Sequence, residues 1–251
     1  MRILALDTAT ESCSAALLLD DRVLTRERLP GRAHAEVILP MADELLAQGG
    51  VSLKALTAIA FGRGPGAFTG VRLAASIAQG LAYGAGLPVV PISDLQALAQ
   101  RALESDVAIS RVLACADARM REVYWGCFER TAAGLAGAVT DEHVGKPSEV
   151  SLPAGWIPNA NAQASSRRAA AGSPPPLGEV CGAGSGFAVY PELRAALGGL
   201  NRVLDDLLPR ASEIARLAAA EVGAGRVFPP EQALPVYLRD RVTHGRDQSL
   251  N

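Results

Sequence analysis

From position 56 the chain reads Leu56-Thr57-Ala58-Ile59-Ala60-Phe61, then Gly62-Arg63-Gly64-Pro65-Gly66-Ala67-Phe68-Thr69-Gly70, then Val71-Arg72-Leu73-Ala74-Ala75-Ser76-Ile77-Ala78 and on to Tyr83. A short apolar run, a turn rich in glycine and proline, and a stretch with apolar residues at helical spacing predict a strand feeding through a tight loop into a helix. Glycines between a strand and a helix let the backbone turn sharply and come close to another group. The first amides of the following helix would also suit an anion. No Gly-Lys-Ser/Thr closes the loop, so it is not a nucleoside-triphosphate P-loop. It does fit Gly-x-Gly-x-x-Ala after a strand, the pattern of a dinucleotide site. Two features oppose that reading: Pro65 removes an amide that a pyrophosphate would use, and the next strand ends Val90-Pro91-Ile92 without a ribose-binding acid.

The flanking pattern extends the strand–loop–helix unit. Residues 3–8 and 14–19 are apolar runs, and 23–29 alternate as in a half-exposed strand, which together predict an antiparallel meander. A helix is expected over about 33–47, closed by Gly49-Gly50, and the 71–83 helix stops at Gly84 and Gly86. Residues 87–92 form the next strand. The order βββαβαβ fits the ribonuclease-H-like half of an actin-type α/β fold. A helix over about 94–103 leads to strands at 112–116 and 123–129 around a turn at 118–120, and element order there suggests a second, similar mixed-sheet half. The expected organisation is one half over 1–103, a second over 104–239 with an irregular insertion near 153–177, and a loose tail at 240–251. In the second half, a strand at 178–182 enters Gly182-Ala183-Gly184-Ser185-Gly186, and 211–222 read as a helix.

Composition narrows the function. The 251 residues are 49% hydrophobic but only 4% aromatic, which implies a core of Ala, Val and Leu. A net charge of −2 gives no basic surplus for holding nucleic acid unaided. Cys13, Cys115, Cys127 and Cys181 never pair at short spacing, and His34, His143 and His244 stand apart, so no metal site is expected. Without a signal region or an apolar run of spanning length, a cytoplasmic protein is expected.

Three strand-end segments remain as candidate sites. Asp7-Thr8-Ala9-Thr10 sits where an actin-type fold places its first phosphate loop, Asp117-Ala118-Arg119 at the equivalent place in the second half, and Gly182 with Gly184 where adenosine would be met. Ala118 stands where a glycine would admit phosphate, so Asp7, Thr8, Asp117, Gly182 and Gly184 read as a vestigial nucleotide site. The helix bearing Val37, Ile38, Leu39, Met41, Ala42, Leu45 and Leu46 is apolar over more than one face. Its successor carries Ala74, Ala78 and Ala82 with Gly80 and Gly84. Both have surface to spare for a partner. No nucleophile–base set or carboxylate pair stands out.

At Gly64-Pro65-Gly66-Ala67-Phe68-Thr69-Gly70-Val71-Arg72 the chain resembles the TsaB (YeaZ) family of bacterial tRNA threonylcarbamoyladenosine biosynthesis subunits. The segments 3–10, 34–41, 117–124 and Pro235-Val236-Tyr237-Leu238-Arg239 are similar to the same family. Ala67 departs from the serine usual there.

The resemblance implies an actin/Hsp70-like ATPase fold and a subunit that is not itself an enzyme, with no metal and no cofactor of its own. ATP or ADP would sit, if anywhere, at a partner interface. The implied partners are the catalytic subunit TsaD, the ATPase TsaE, a second copy of the chain, and tRNA indirectly through the complex, with no membrane. His34, Ile38, Met41 and Leu45 on the first helix and Ala74, Ala78 and Leu81 on the second are the implied partner-binding residues, steered by the loop Gly64, Pro65, Gly66, Thr69, Gly70 and Arg72. The runner-up is an active ATP-dependent kinase of the actin-like superfamily. A glycoprotease-like hydrolase is a third reading, which the lack of a metal pair and of a nucleophile–base set disfavours.

Overall fold

The computed structural model describes residues 1–29, 31, 33–156 and 178–239. The tail expected at 240–251 and most of the insertion expected at 153–177 lie outside the described residues.

Strands β1 (Arg2–Asp7), β2 (Cys13–Leu19) and β3 (Arg22–Arg28) form the expected antiparallel meander, with Asp7 opposite Ser14 and Cys13 opposite Arg28. Helix α1 (His34–Gly49) returns the chain to β4 (Ala58–Gly62), and α2 (Phe68–Ala85) returns it to β5 (Val89–Ile92); both strands are parallel to β1. The sheet runs β3-β2-β1-β4-β5. Ile3 to Asp7 are all buried, as a central strand requires, whereas β3 puts Arg22, Arg26 and Arg28 on the open edge, where charge discourages pairing with another chain. Gly50 (φ +64°) and Gly86 (φ +69°) stop the two helices in the left-handed conformation that glycine adopts without strain.

The second sheet repeats the first. Strands β6 (Ile109–Arg119) and β7 (Glu122–Arg130) form a hairpin, β8 (Ala136–Ala138) and β9 (His143–Gly145) both pair with β7, and β10 (Glu179–Ala183) and β11 (Arg202–Leu204) add in parallel. Read from the other edge, β8-β7-β6-β10-β11 has the connectivity of β3-β2-β1-β4-β5. This is the doubled ribonuclease-H-like arrangement of the actin/Hsp70-type α/β fold. Helices α4 (Gly186–Val189) and α5 (Glu192–Leu197) cover one face of it. Strands β8, β9 and β11 and helices α4 and α5 were not foreseen, because three to six residues are too few to show a period.

The layers explain the alanine content. On one face of the first sheet, Ile38, Met41 and Leu45 of α1 and Ala74, Ala78 and Ala82 of α2 pack on Leu4, Leu6, Leu17, Ile59 and Phe61. On the other face, α6 (Ala211–Gly223) brings Ala211, Ile214, Ala215 and Ala218 against Ile3, Ala5, Ala16, Ala58 and Ala60. Helix α3 (Asp94–Ser105), capped by the Ser93 hydroxyl accepting from the Gln96 amide, lays Leu95, Leu98, Ala99 and Ala102 on β6, β7 and β10. So α3 and α6 lie together between the sheets. Each packs on the sheet of the half to which the expected boundary at 103/104 did not assign it. The crossing ties the halves together.

A correction follows for the expected partner surface. Ile38, Met41, Leu45, Ala74 and Ala78 are buried in the chain's own core, so they cannot present a face to a partner. The apolar width of α1 read as surplus is consumed by the twisted sheet beneath it, with Val37 and Leu46 filling the flanks. The apolar residues that α1 leaves outside are Ala35, Leu39, Pro40 and Ala47, among the exposed Glu36, Asp43, Glu44 and Gln48; on α2 the exposed residues include Arg72, Ser76, Gly80 and Tyr83, one stripe at helical spacing.

Candidate functional site

The C-terminal ends of β1, β4 and β6 meet at a cleft of about 950 Å³ between the two halves. Thr8, Thr10, His34 and the loop Pro65–Gly70 line one wall; Asp117, Arg119, Tyr124 and Ser185 line the other; and residues 236–239 cross it. Of the expected strand-end segments, Thr8-Ala9-Thr10 and Asp117-Ala118-Arg119 face each other there, while Asp7, Gly182 and Gly184 lie behind the lining, with Ser185 reaching the cleft next to Gly184.

Their glycines do something other than admit a ligand. The Ala67 amide donates to the Ala9 carbonyl at 2.7 Å, and the Thr8 hydroxyl donates to the Gly70 carbonyl at 2.6 Å, so the glycine loop is laid on the β1–β2 turn. A side-chain carbon on Gly66 would stand 2.7 Å from the Ala9 carbonyl oxygen, and one on Gly70 would overlap that of Thr8. The second half repeats the device. Gly184 (φ +108°) and Gly186 pack on the Cys115 carbonyl, and the Asp117 amide donates to Ser185 Oγ at 3.1 Å. Gly182 is roofed by the Phe187 ring. Both turns are also built alike: Asp7 Oδ1 accepts from the Ala9 amide (2.8 Å), and Asp117 Oδ1 from the Arg119 amide (2.9 Å). At both turns the glycines are spent on close packing within the chain, beside the cleft that the same turns line.

In the loop itself, Gly64 (φ +97°) is the residue that needs the left-handed region. Ala67 occupies the cap position of α2 without a side-chain partner, and Thr69 makes no capping bond. Arg72 lies over the Phe68 ring (3.5 Å to its centroid) and donates to Tyr237 Oη (2.5 Å), tying α2 to the C-terminal segment. His34 opens α1 with Nε2 3.0 Å from the Thr10 carbonyl, fixing the helix to the β1–β2 turn. Leu81 is half-buried against the core. Residues 236–239 act as a strap: the Val236 amide donates to the Arg63 carbonyl (2.7 Å) on the first half, while Arg239 donates to the Ala118 carbonyl (3.2 Å) and pairs with Glu122 on the second.

One constellation escaped the sequence entirely. Asp7 and Asp94, where no carboxylate pair was expected, are both buried and lie together over Gly62. Burial lifts Asp7 to about 6, and burial together with the Asp7 charge lifts Asp94 well above the carboxylate range. Gly62 was the available signal, since any side chain there would collide with the pair.

A family model described as "TsaD: tRNA N6-adenosine threonylcarbamoyltransferase" matches residues 27–243. The tRNA threonylcarbamoyladenosine biosynthesis protein TsaB of Escherichia coli is 40% identical over 96% of both chains. The chain belongs to the TsaB family. The Haemophilus influenzae protein of the same name is 55% identical over half of this chain and 52% of its own length. Among solved structures, YeaZ from Pseudomonas aeruginosa superposes with a TM-score of 0.80 at 41% identity, covering 94% of this chain and 99% of that one. Near-complete coverage in both directions carries the TsaB-family assignment over the whole described fold. Among the described residues, no group of three or more His, Cys, Asp or Glu side chains is placed to hold a metal ion, and no helix is long and apolar enough to cross a membrane.

Proposed function

We propose that this chain is a non-catalytic subunit that works with TsaD and TsaE in transferring threonylcarbamoyl to the adenosine next to the anticodon of tRNA. The observation that supports the non-catalytic part is that Gly66, Gly70, Gly184 and Gly186, the glycines of both turns, are spent on close packing within the chain. An active kinase would use glycines there to bring loop amides up to its nucleotide's phosphates. The relatives' shared name supports the pathway.

In this reading the chain contributes a rigid surface for TsaD, and tRNA is met through the complex. ATP or ADP of the assembly belongs at the interface with the partner. The surface consists of the outer faces of α1 and α2, which cover the same side of the first sheet. Leu39 (43% exposed) and Tyr83 (73% exposed) supply apolar anchors, and Ser76 and Gly80 between them allow a partner helix to come close. The same face suits a homodimer when TsaD is absent.

The test is binding of TsaD to the purified chain by calorimetry, beside tRNA modification reconstituted with TsaD and TsaE. Leu39→Glu and Tyr83→Glu are expected to keep the native circular dichroism spectrum, to weaken TsaD binding at least about tenfold, roughly 1.4 kcal/mol, and to reduce modification in step. Unchanged affinity in both variants would remove this face from the proposal. Steady ATP hydrolysis by the chain alone would replace the proposal with the kinase.

A further inference from the structure

Asp7 ends β1 in the first sheet, and Asp94 begins α3, which packs on the second. Each carboxyl accepts one backbone bond: Asp7 Oδ1 from the Ala9 amide at 2.8 Å, Asp94 Oδ2 from the Gly64 amide at 2.5 Å. The other two oxygens, Asp7 Oδ2 and Asp94 Oδ1, are buried without a hydrogen-bond partner among the described residues. An orphaned buried carboxylate oxygen is costly, and two such groups side by side over Gly62 are costlier still if both are charged.

Among the described residues the Arg63 charge reaches Asp94, but that guanidinium is itself paired elsewhere and no cation contacts either unpartnered oxygen. From the end of β4, Arg63 reaches Glu142 (3.2 Å), which also receives the Ser93 hydroxyl proton. From β3, Glu27 accepts from Ser12 Oγ at 2.9 Å and lies 3.8 Å from Arg210, which precedes α6. From β2, Cys13 is an uncharged thiol raised to about 11 by burial and by Asp7 itself. On α6, Glu213 is held by Arg210 and Arg216. On the same wall of the cleft His34 is bonded to the Thr10 carbonyl, and on the opposite wall Asp117 pairs with Arg119.

We propose that Asp7 and Asp94 share one proton between their unpartnered oxygens, and that this proton clamps the start of α3 to β1, making the joint between the two halves sensitive to pH. Asp94 is the donor and the Asp7 carboxylate the acceptor. The raised values of both groups agree, since each favours the protonated form in the folded chain. The sign follows. The folded protein binds more protons than the unfolded one wherever its carboxyls titrate above the unfolded value, so stability from the pair is complete below about pH 4, falls as pH rises from there, and levels off only above the folded values, the lower of which is about 6. Losing the last proton leaves two charges at the α3 N-terminus and loosens the joint.

The experiment uses the full chain. Carboxyl-carbon NMR with labelled aspartate reads the two titrations directly between pH 4 and 9, and urea unfolding over the same range reads their linkage to folding. One of the pair should remain protonated at pH 7, and above pH 6 the folding constant should fall by up to about tenfold per pH unit. Hydrogen exchange at the Gly64 and Asp94 amides, corrected for intrinsic rate, should quicken over the same range. Asp94→Asn, whose amide can donate to Asp7 without titrating, should flatten the stability profile above pH 6. Its Ala counterpart, Asp94→Ala, should leave Asp7 without a donor and be less stable than Asp94→Asn at pH 8. Titration of both wild-type carboxyls below pH 5 would overturn the proposal whether or not either variant folds. So would an Asp94→Asn profile with the wild-type slope. Stabilisation of the wild type at pH 8 by millimolar magnesium or calcium, reversed by EDTA, would overturn it in favour of a bound cation.

Discussion

Gly70 and Gly80 lie ten residues apart in the same helix, and replacing each by alanine should move stability in opposite directions. At Gly70 the new side-chain carbon would overlap the Thr8 carbonyl oxygen and come 3.0 Å from its carbon and 3.4 Å from the Ala9 Cα. All three neighbours are backbone atoms of a turn held by Asp7, so no flexible side chain can move aside. Overpacking of this kind costs about 1–3 kcal/mol. Displacing the turn also strains the Thr8 hydroxyl bond to Gly70, worth roughly another 1 kcal/mol. At about 2–4 °C per kcal/mol for a chain of this size, Gly70→Ala should melt about 5–15 °C below the wild type. At Gly80 nothing stands within 4 Å, and the residue has ordinary helical geometry. There the removal of glycine's backbone freedom should stabilise by about 1 kcal/mol and raise the midpoint by a few degrees. Differential scanning calorimetry of both variants against the wild type decides the matter. If Gly70→Ala melts within about 2 °C of the wild type, the loop does not rest on the β1–β2 turn, and the case that its glycines serve packing within the chain falls with it.

Three further outcomes are expected. Met41→Glu, which buries an unpaired carboxylate in the first-sheet core, should destabilise by about 3–5 kcal/mol in urea unfolding, and a loss within 1 kcal/mol would mean that Met41 is not enclosed as described. Thr69→Ala should stay within about 0.5 kcal/mol of the wild type, because Thr69 is exposed and caps nothing; a larger loss would mean that its side chain does cap α2. Cys13, Cys115, Cys127 and Cys181 are buried, with burial pushing their thiols up to about 11 or 12, so Ellman's reagent at pH 8 should label them no faster than the chain unfolds. Rapid labelling of the native protein would contradict that enclosure.

Much of the fold was legible in residue order, because periodicity and turn chemistry are local. The meander, α1, β4, the glycine loop, α2 and β5 all follow from apolar runs of the right period, closed by glycines at Gly50 and Gly86. That the end of β1 and the Gly64–Gly70 loop after β4 come together was legible too, since strand ends of parallel neighbours lie on the same side of a sheet; that Asp117 of the second sheet faces them was decided by the packing of the two halves. Tertiary structure alone decided which face of each helix is spent. The apolar stripe of α1 reads alike whether it faces a partner or the chain's own sheet, and only the packing on Leu4, Leu17 and Phe61 shows that Ile38, Met41 and Leu45 are core and that Leu39 is not. Tertiary structure likewise sent α3 and α6 across the expected boundary and joined Asp7 to Asp94, contacts between residues far apart in the chain that leave no local trace. At Gly62 the trace was a missing side chain, and what it made room for could be read only once the fold had brought two carboxyls to the same place.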